Sequence, residues 1–272
     1  MNNDSPQKAV LVVFAVALVC SVLVSAASIV LRPIQERNQL VERSRNIVTL
    51  TGLTDPSAPV SDDDILAIVD QLDIRVVELD SGDFADPETA ESFDSRRALS
   101  DPEQSQAIPA ELDIAGLGRR SLYERVYLVW HEDELQRVIF PVQGQGMWST
   151  IRGFIALEQD MNTIGAVSFY EQAETAGLGD QIQRPDWQAQ WTGRRLFSDN
   201  GAFMFRVGPG SVEPGSFAAT HQVDGLTGAT VTGDAVTRII AYWFGPNGYS
   251  EFIDRLLTDP PARQAATGDN TL

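Results

Sequence analysis

RVYLVW (125–130), RVIFPV (137–142), IRGFIALE (151–158) and IGAVSFYE (164–171) follow one another, separated by polar or glycine-containing turns. Each run is short and rich in β-branched and aromatic side chains, the types that suit a pleated, half-buried surface. Four antiparallel strands are expected. Downstream, helical pattern returns from about residue 233 to 243 and again from 250 to 257. The fold class is therefore α+β, with helices flanking a twisted antiparallel sheet.

Upstream of the strands, residues 80–120 are rich in Asp, Ser, Pro and Glu with little periodicity, so an acidic, mobile surface insertion is expected there. Ser61 precedes three aspartates, Asp62 to Asp64, and Ile65, Leu66, Ile68 and Val69 continue the pattern. This reads as a capped amphipathic helix with its carboxylates at the favourable dipole end. The alternating ligand spacing of a calcium loop is missing. In LRPIQERNQLVERSRNIVTLTGL (31–53), Leu40, Ile47, Leu50 and Leu53 recur at near-helical spacing until Gly52 and Pro56 break it, so 32–58 reads as a helical stalk. The folded domain is expected over 59–260, followed by a tail at 261–272.

Residues 9–31, AVLVVFAVALVCSVLVSAASIVL, carry no charge. That run of about 23 residues spans about 35 Å as a helix, enough to cross a bilayer core. A transmembrane anchor preceded by a short tail, 1–8, is expected; a cleaved signal peptide is the competing reading, against which the run is long. Lys8 stands alone before it, whereas Arg32, Arg37, Arg43 and Arg45 follow, which by charge alone puts the large domain in the cytoplasm. A long folded domain and nearby Glu36 and Glu42 weaken that rule.

The 272 residues include 38 acidic and 20 basic side chains, for a net charge of -18, which argues against a nucleic-acid partner. Cys20, the only cysteine, lies in the apolar run, so the rest of the chain has no disulfide or cysteine-held iron–sulfur cluster. His131 and His221 are too few for a histidine-rich metal site, and no metal site is expected. Any redox chemistry must come from a bound organic group.

The stretch HQVDGLTGATVTGDAVTR (221–238) leads a small, hydroxyl-rich loop into a helix. Two readings fit. Thr232 can be an N-cap with Asp234 in the first turn, and Thr227 and Thr230 then belong to an ordinary polar turn. Alternatively, the free N–H groups of a helix start can receive a phosphate, while Gly228 and Ala229 leave the Thr230 hydroxyl uncrowded.

Asp224-Gly225-Leu226-Thr227-Gly228-Ala229-Thr230 resembles the flavinylation motif of the FMN-binding domain family. The resemblance implies that Thr230 carries one covalent FMN through its phosphate, with Asp224, Gly225, Thr227, Gly228 and Ala229 around it and Thr232 left to cap the helix. It also implies a flavin transferase that takes FMN from FAD with magnesium. EQAETAGLGDQI (171–182) resembles the family's Glu-Thr-Pro-Gly-Leu-Gly segment over the flavin, with Ala176 in place of proline and Gln172 where histidine is common. Thr175, Gly177 and Leu178 are its expected flavin contacts. Gly144-Gln145-Gly146-Met147-Trp148-Ser149 resembles a third family block, in which Trp148 either lies near the flavin or packs in the core.

Two branches of that family share the flavin motif: C subunits of the sodium-translocating NADH:quinone reductase and G subunits of a ferredoxin-coupled electron transport complex. The stalk and AYWFGPNGYSEFIDRLL (241–257) resemble the former. That resemblance implies a single-pass subunit of the bacterial inner membrane with a periplasmic flavin domain. It would pass electrons from NADH oxidation toward ubiquinone, coupled to sodium export, alongside the other subunits of the complex. No acid or base side chain is required, and no turnover is expected of the isolated chain.

Overall fold

The computed structural model describes residues 6–53, 60–69 and 71–263. The chain divides into two compact units near residue 43. In the first lies most of α1 (Pro6–Thr51), which contains Pro33. Its segment Val10–Pro33 is long and apolar enough to cross a membrane, and none of the most apolar window is buried against protein. Within the expected stalk, α1 ends at Thr51, and Gly52 follows with a φ of 71°, the left-handed conformation that suits a helix terminus. Pro56 lies outside the described residues, as do the ends of both expected tails.

The second unit runs through α2 (Asp62–Val69), β1 (Asp73–Glu78), α3 (Pro87–Ser92), α4 (Ser95–Ala98), β2 (Ser105–Ala107) and β3 (Arg119–Ser121). The long strands β4 (Tyr123–His131), β5 (Glu134–Gln145), β6 (Thr150–Glu158) and β7 (Ile164–Glu171) come next. After them stand α5 (Pro185–Gln188), β8 (Arg206–Val207), α6 (Phe217–His221), β9 (Gln222–Val223), α7 (Thr230–Trp243) and α8 (Ser250–Thr258).

The main sheet has the order β1-β4-β5-β6-β7 and every neighbour is antiparallel. All four expected strands are present, and β1 is an additional edge strand that pairs Asp73–Glu78 with Leu128–Tyr123. Both faces of the sheet are covered. On one face Val138, Phe140, Val142, Ile151 and Ile155 join the core with Ile239, Ile240, Trp243 and Phe252 from α7 and α8. Gly144 of β5 permits close approach of α7, since a Cβ there would lie 2.4 Å from Cγ1 of Ile239. On the opposite face, Arg137 donates to the carbonyl of Leu50 (3.3 Å) and Ser168 to Asn46 (3.0 Å), so the last turns of α1, with Ile47 and Leu50 buried, lie there.

Ser61 performs its expected capping role, accepting from the Asp64 N–H at 3.2 Å. Residues 80–120, by contrast, are not a structureless insertion. Asp86 caps α3, Asp94 caps α4, and the Asp113 carboxylate accepts from the Leu117 and Gly118 N–H groups. Phe93 and Ala98 pack with Val76 and Tyr123 into a satellite core. The aspartates that make this stretch look disordered are the groups that terminate its short helices and turns.

Candidate functional site

Three segments converge on the first turn of α7. The turn after β5, Gly146–Ser149, faces the segment after β7, residues 172–179. Ala173 N–H donates to Ser149 Oγ (2.7 Å), and the Trp148 indole N–H donates to Thr175 Oγ1 (3.1 Å). The third segment is the DGLTGAT loop that enters α7.

Glu174 ties all three together. Its side chain is 8% exposed, and its carboxylate accepts from the backbone N–H of Met147 (3.2 Å) and Trp148 (3.0 Å) and from the Thr232 hydroxyl (2.6 Å). Bonds to a charged acceptor contribute about 1.5–3 kcal/mol each, and a buried donor left without one costs about as much. The space around this carboxylate is full: a Cβ on Gly146 would lie 2.5 Å from Glu174 Oε1, and one on Gly179 2.8 Å from both Glu174 Cβ and Thr232 Oγ1.

This arrangement corrects the reading of the helix start. The expected helix begins at about residue 233 with Thr232 as its cap, whereas α7 begins at Thr230 with Ala229 at the cap position. Thr232, 1% exposed, lies within the first turn and gives its hydroxyl to Glu174. Ala229 has no side-chain oxygen, and the helix has no side-chain cap. The first N–H groups of such a helix lack intrahelical acceptors, and the helix dipole adds to their attraction for an anion.

The DGLTGAT loop divides into an anchored and an open part. The Asp224 carboxylate accepts from Val212 N–H (2.7 Å), its carbonyl from the Trp187 indole (2.9 Å), and its own N–H donates to Gln190 (3.0 Å). At Gly225 a Cβ would stand 2.4 Å from the Gly208 carbonyl oxygen, so only glycine fits. Ala229 is buried, whereas Thr227, Gly228 and Thr230 are exposed. Asp224 and Gly225 thus anchor the loop, and Thr230 stands exposed at its free end.

Several exposed side chains of these segments are apolar. Trp148 is 65% exposed, which rules out the core-packing alternative for it, and Met147, Leu178 and Val231 are also exposed. Leu178 reaches the loop, its Cδ2 standing 3.0 Å from where a Gly228 Cβ would be. Gly177 and Gly228 have φ of 75° and 76°, and nothing lies within 4 Å of a Cβ at Gly177. Gln172, where a histidine is the commoner residue of the resembled segment, donates to Gln183 and accepts from the N–H of Glu174, so the turn keeps a polar tie. His221 is buried with its ring bonded to the Arg195 carbonyl, and His131 is exposed, away from these segments in both cases.

Sequence reasoning grouped Trp148, Thr175, Leu178 and Thr230, and in the structure Trp148 meets Thr175 and Leu178 meets Gly228. It did not find the joint of Glu174 and Thr232, which are 58 positions apart. The glycines on either side of the carboxylate, Gly146 and the buried Gly179, were the available signal, because each leaves room for something behind it.

The chain is similar to known proteins. The FMN-binding domain family matches residues 146–245, which hold all three segments. The C subunit of the Na(+)-translocating NADH-quinone reductase of Pseudomonas aeruginosa is 40% identical over 256 residues, covering 94% of this chain and 97% of that protein. The corresponding C subunit of Vibrio anguillarum is 38% identical, with 94% and 96% covered. Among solved structures, that of Shewanella oneidensis NqrC superposes with a TM-score of 0.73 at 32% identity, over 83% of this chain and all of that one. The structure of the C subunit from Parabacteroides distasonis, 24% identical with a TM-score of 0.60, shares the fold.

Proposed function

This chain belongs to the family of C subunits of the Na(+)-translocating NADH-quinone reductase, and from that premise we propose that it carries FMN on Thr230 as an electron-transfer subunit of such a reductase. The observation that carries the proposal is the exposed Thr230 on an uncapped first turn, with an exposed tryptophan and leucine on the two segments that converge on that turn. Family membership sets aside the alternative of a ferredoxin-coupled G subunit.

The residues present fit the group. The first-turn N–H groups of α7 suit its phosphate, and the apolar rim of Trp148, Leu178 and Met147 suits a flat ring system. Bound there, FMN supplies the redox couple that the side chains lack. During maturation the Thr230 hydroxyl forms the new O–P bond while the pyrophosphate bond of FAD breaks and AMP leaves. A flavin transferase provides that chemistry with magnesium, and the exposure of Thr227, Gly228 and Thr230 gives it access. Small residues at Gly228 and Ala229 keep the path to the hydroxyl clear, and Asp224 and Gly225 hold the loop's base still while its end is handled. Thereafter the chain's work is positional. The anchored loop fixes where the ring can be reached, and the polar groups beside it influence its potential.

The apolar helix at Val10–Pro33, long enough to cross a membrane, supports a membrane location for the chain. In this proposal the membrane is the bacterial inner membrane and the folded unit is periplasmic. The other subunits of the reductase are its partners, and electrons pass through it from NADH oxidation toward ubiquinone, coupled to sodium export.

The test is to produce the chain with a flavin transferase, denature it and follow the flavin colour. The colour is expected to remain with the unfolded chain and, in the assembled complex, to bleach when NADH is added. Colour that separates on denaturation would contradict the ester, and a covalent flavin that NADH never bleaches in the complex would contradict the electron-transfer role.

A further inference from the structure

Glu174 is a buried acid with no part in the chemistry described so far, yet it meets every segment of the flavin site. Two of its three donors are the consecutive backbone N–H groups of Met147 and Trp148, and the third belongs to the first turn of α7, two residues from Thr230. The donors divide between both oxygens, with Trp148 N–H on Oε1 and Met147 N–H and Thr232 hydroxyl on Oε2. A carboxylate accepts at both oxygens, so it satisfies all three at once. A carboxamide of the same shape cannot. With its NH2 at the second position, the Thr232 hydroxyl can turn round and accept, but the Met147 N–H then faces another donor.

We propose that Glu174 is a positioning residue for flavin attachment: its carboxylate clamps the Trp148 turn to the first turn of α7, so that the indole and the Thr230 hydroxyl are held in one geometry before the flavin arrives. This rests on Thr230 being the flavin site, and deepens that reading. The clamp acts through other residues. Thr232 carries it to the helix, and the Trp148 N–H carries it to the indole, which is tied in turn to Thr175. Such a clamp also explains why α7 has no side-chain cap: the first turn is secured from within by Thr232, which leaves its end open.

The experiment compares the full-length chain with Glu174→Gln, Thr232→Ala and the double variant. For each, the initial rate of flavin attachment to Thr230 is measured with flavin transferase, FAD and magnesium. Amide hydrogen exchange at Met147 and Trp148 is measured on the same proteins before labelling. Glu174→Gln is expected to slow labelling about tenfold and Thr232→Ala about fivefold, each somewhat less than the full loss of one charge-assisted bond. The double variant is expected to be no slower than Glu174→Gln, because both changes open one joint. Exchange at Met147 and Trp148 is expected to rise in Glu174→Gln and to stay near wild type in Thr232→Ala. Wild-type labelling in both single variants would overturn the clamp, as would effects that multiply in the double variant. If Glu174→Gln does not fold, Thr232→Ala, which keeps both loop-side bonds, carries the test, and a wild-type rate in it overturns the proposal. If the wild-type chain itself takes no flavin, the Thr230 reading fails. Hydrogen exchange then decides the clamp alone, and unchanged protection at Met147 and Trp148 in Glu174→Gln would overturn it.

Discussion

The two ends of α7 are built on opposite terms. At its C-terminal end Trp243 is 1% exposed, stacks on Tyr249 with ring centroids 5.2 Å apart, and donates its indole N–H to the Gln143 carbonyl at 2.7 Å. Tyr249, also buried, donates to the Pro141 carbonyl at 2.7 Å. Both of these aromatic side chains are bonded and shielded from solvent. At the N-terminal end Thr230 and Val231 face solvent, no side chain caps the helix, and the turn is held from below through Thr232 and Glu174. One helix thus combines a fixed root in the core with an open tip, and the rigidity of the first makes the position of the second reproducible.

Damage at the root should be the most severe. Trp243→Ala removes a filled core position and a buried bond, and should cost about 3–5 kcal/mol in a denaturant melt of the folded unit. A cost below about 1 kcal/mol would show that the root is not where the stability lies. Next comes the loop base. Gly225→Ala drives a methyl onto the Gly208 carbonyl and should cost about 1–3 kcal/mol, with reduced flavin loading. Gly177→Ala meets only open space and should lose about 1 kcal/mol for its left-handed backbone alone.

The root also carries a pH signature. Burial pushes the Tyr242 phenol up to about 12, from an ordinary value of 10.0, while Arg120 works against it and Asp113 and Asp80 with it. Because the folded value is the higher one, the protonated phenol's contribution is fully present below pH 10 and is lost as pH rises toward 12. Phenolate absorbance should therefore appear together with unfolding in that window. The smallest effect on stability belongs to the rim: Trp148→Ala should change it by less than about 0.5 kcal/mol while altering the absorption and fluorescence of the bound flavin.

The same contrast governs what could be read from the sequence. The long strands were legible because alternation and β-branched content are local signals, and β4 to β7 carry them over eight or more residues. Strand β1 was not, because its apolar residues, Ile74, Val76 and Val77, are interrupted by Arg75 and flanked by Asp73 and Glu78 in an acidic stretch. The insertion at 80–120 looked mobile because its elements are three to six residues long, too short for any period, and because capping aspartates resemble disorder by composition. At the site, Thr230 stood out by its motif and Trp148 by its neighbours. The start of α7 was misplaced for a physical reason: a threonine before Gly-Asp has the local look of a cap, whereas its actual partner is a carboxylate brought in by the sheet. Local pattern reports what a residue prefers, and only the fold determines which preference is met.

The proposed role of the open tip depends on the ester at Thr230, and peptide mass spectrometry can locate that bond. The chain is produced with a flavin transferase as wild type, Thr230→Ala and Thr227→Ala, the last being the other exposed threonine of the loop. The expected result is a mass gain of one FMN less one water on the peptide holding Thr230, present in wild type and Thr227→Ala and absent from Thr230→Ala. A gain that survives in Thr230→Ala, or no gain in the wild-type chain, would refute the ester at this residue.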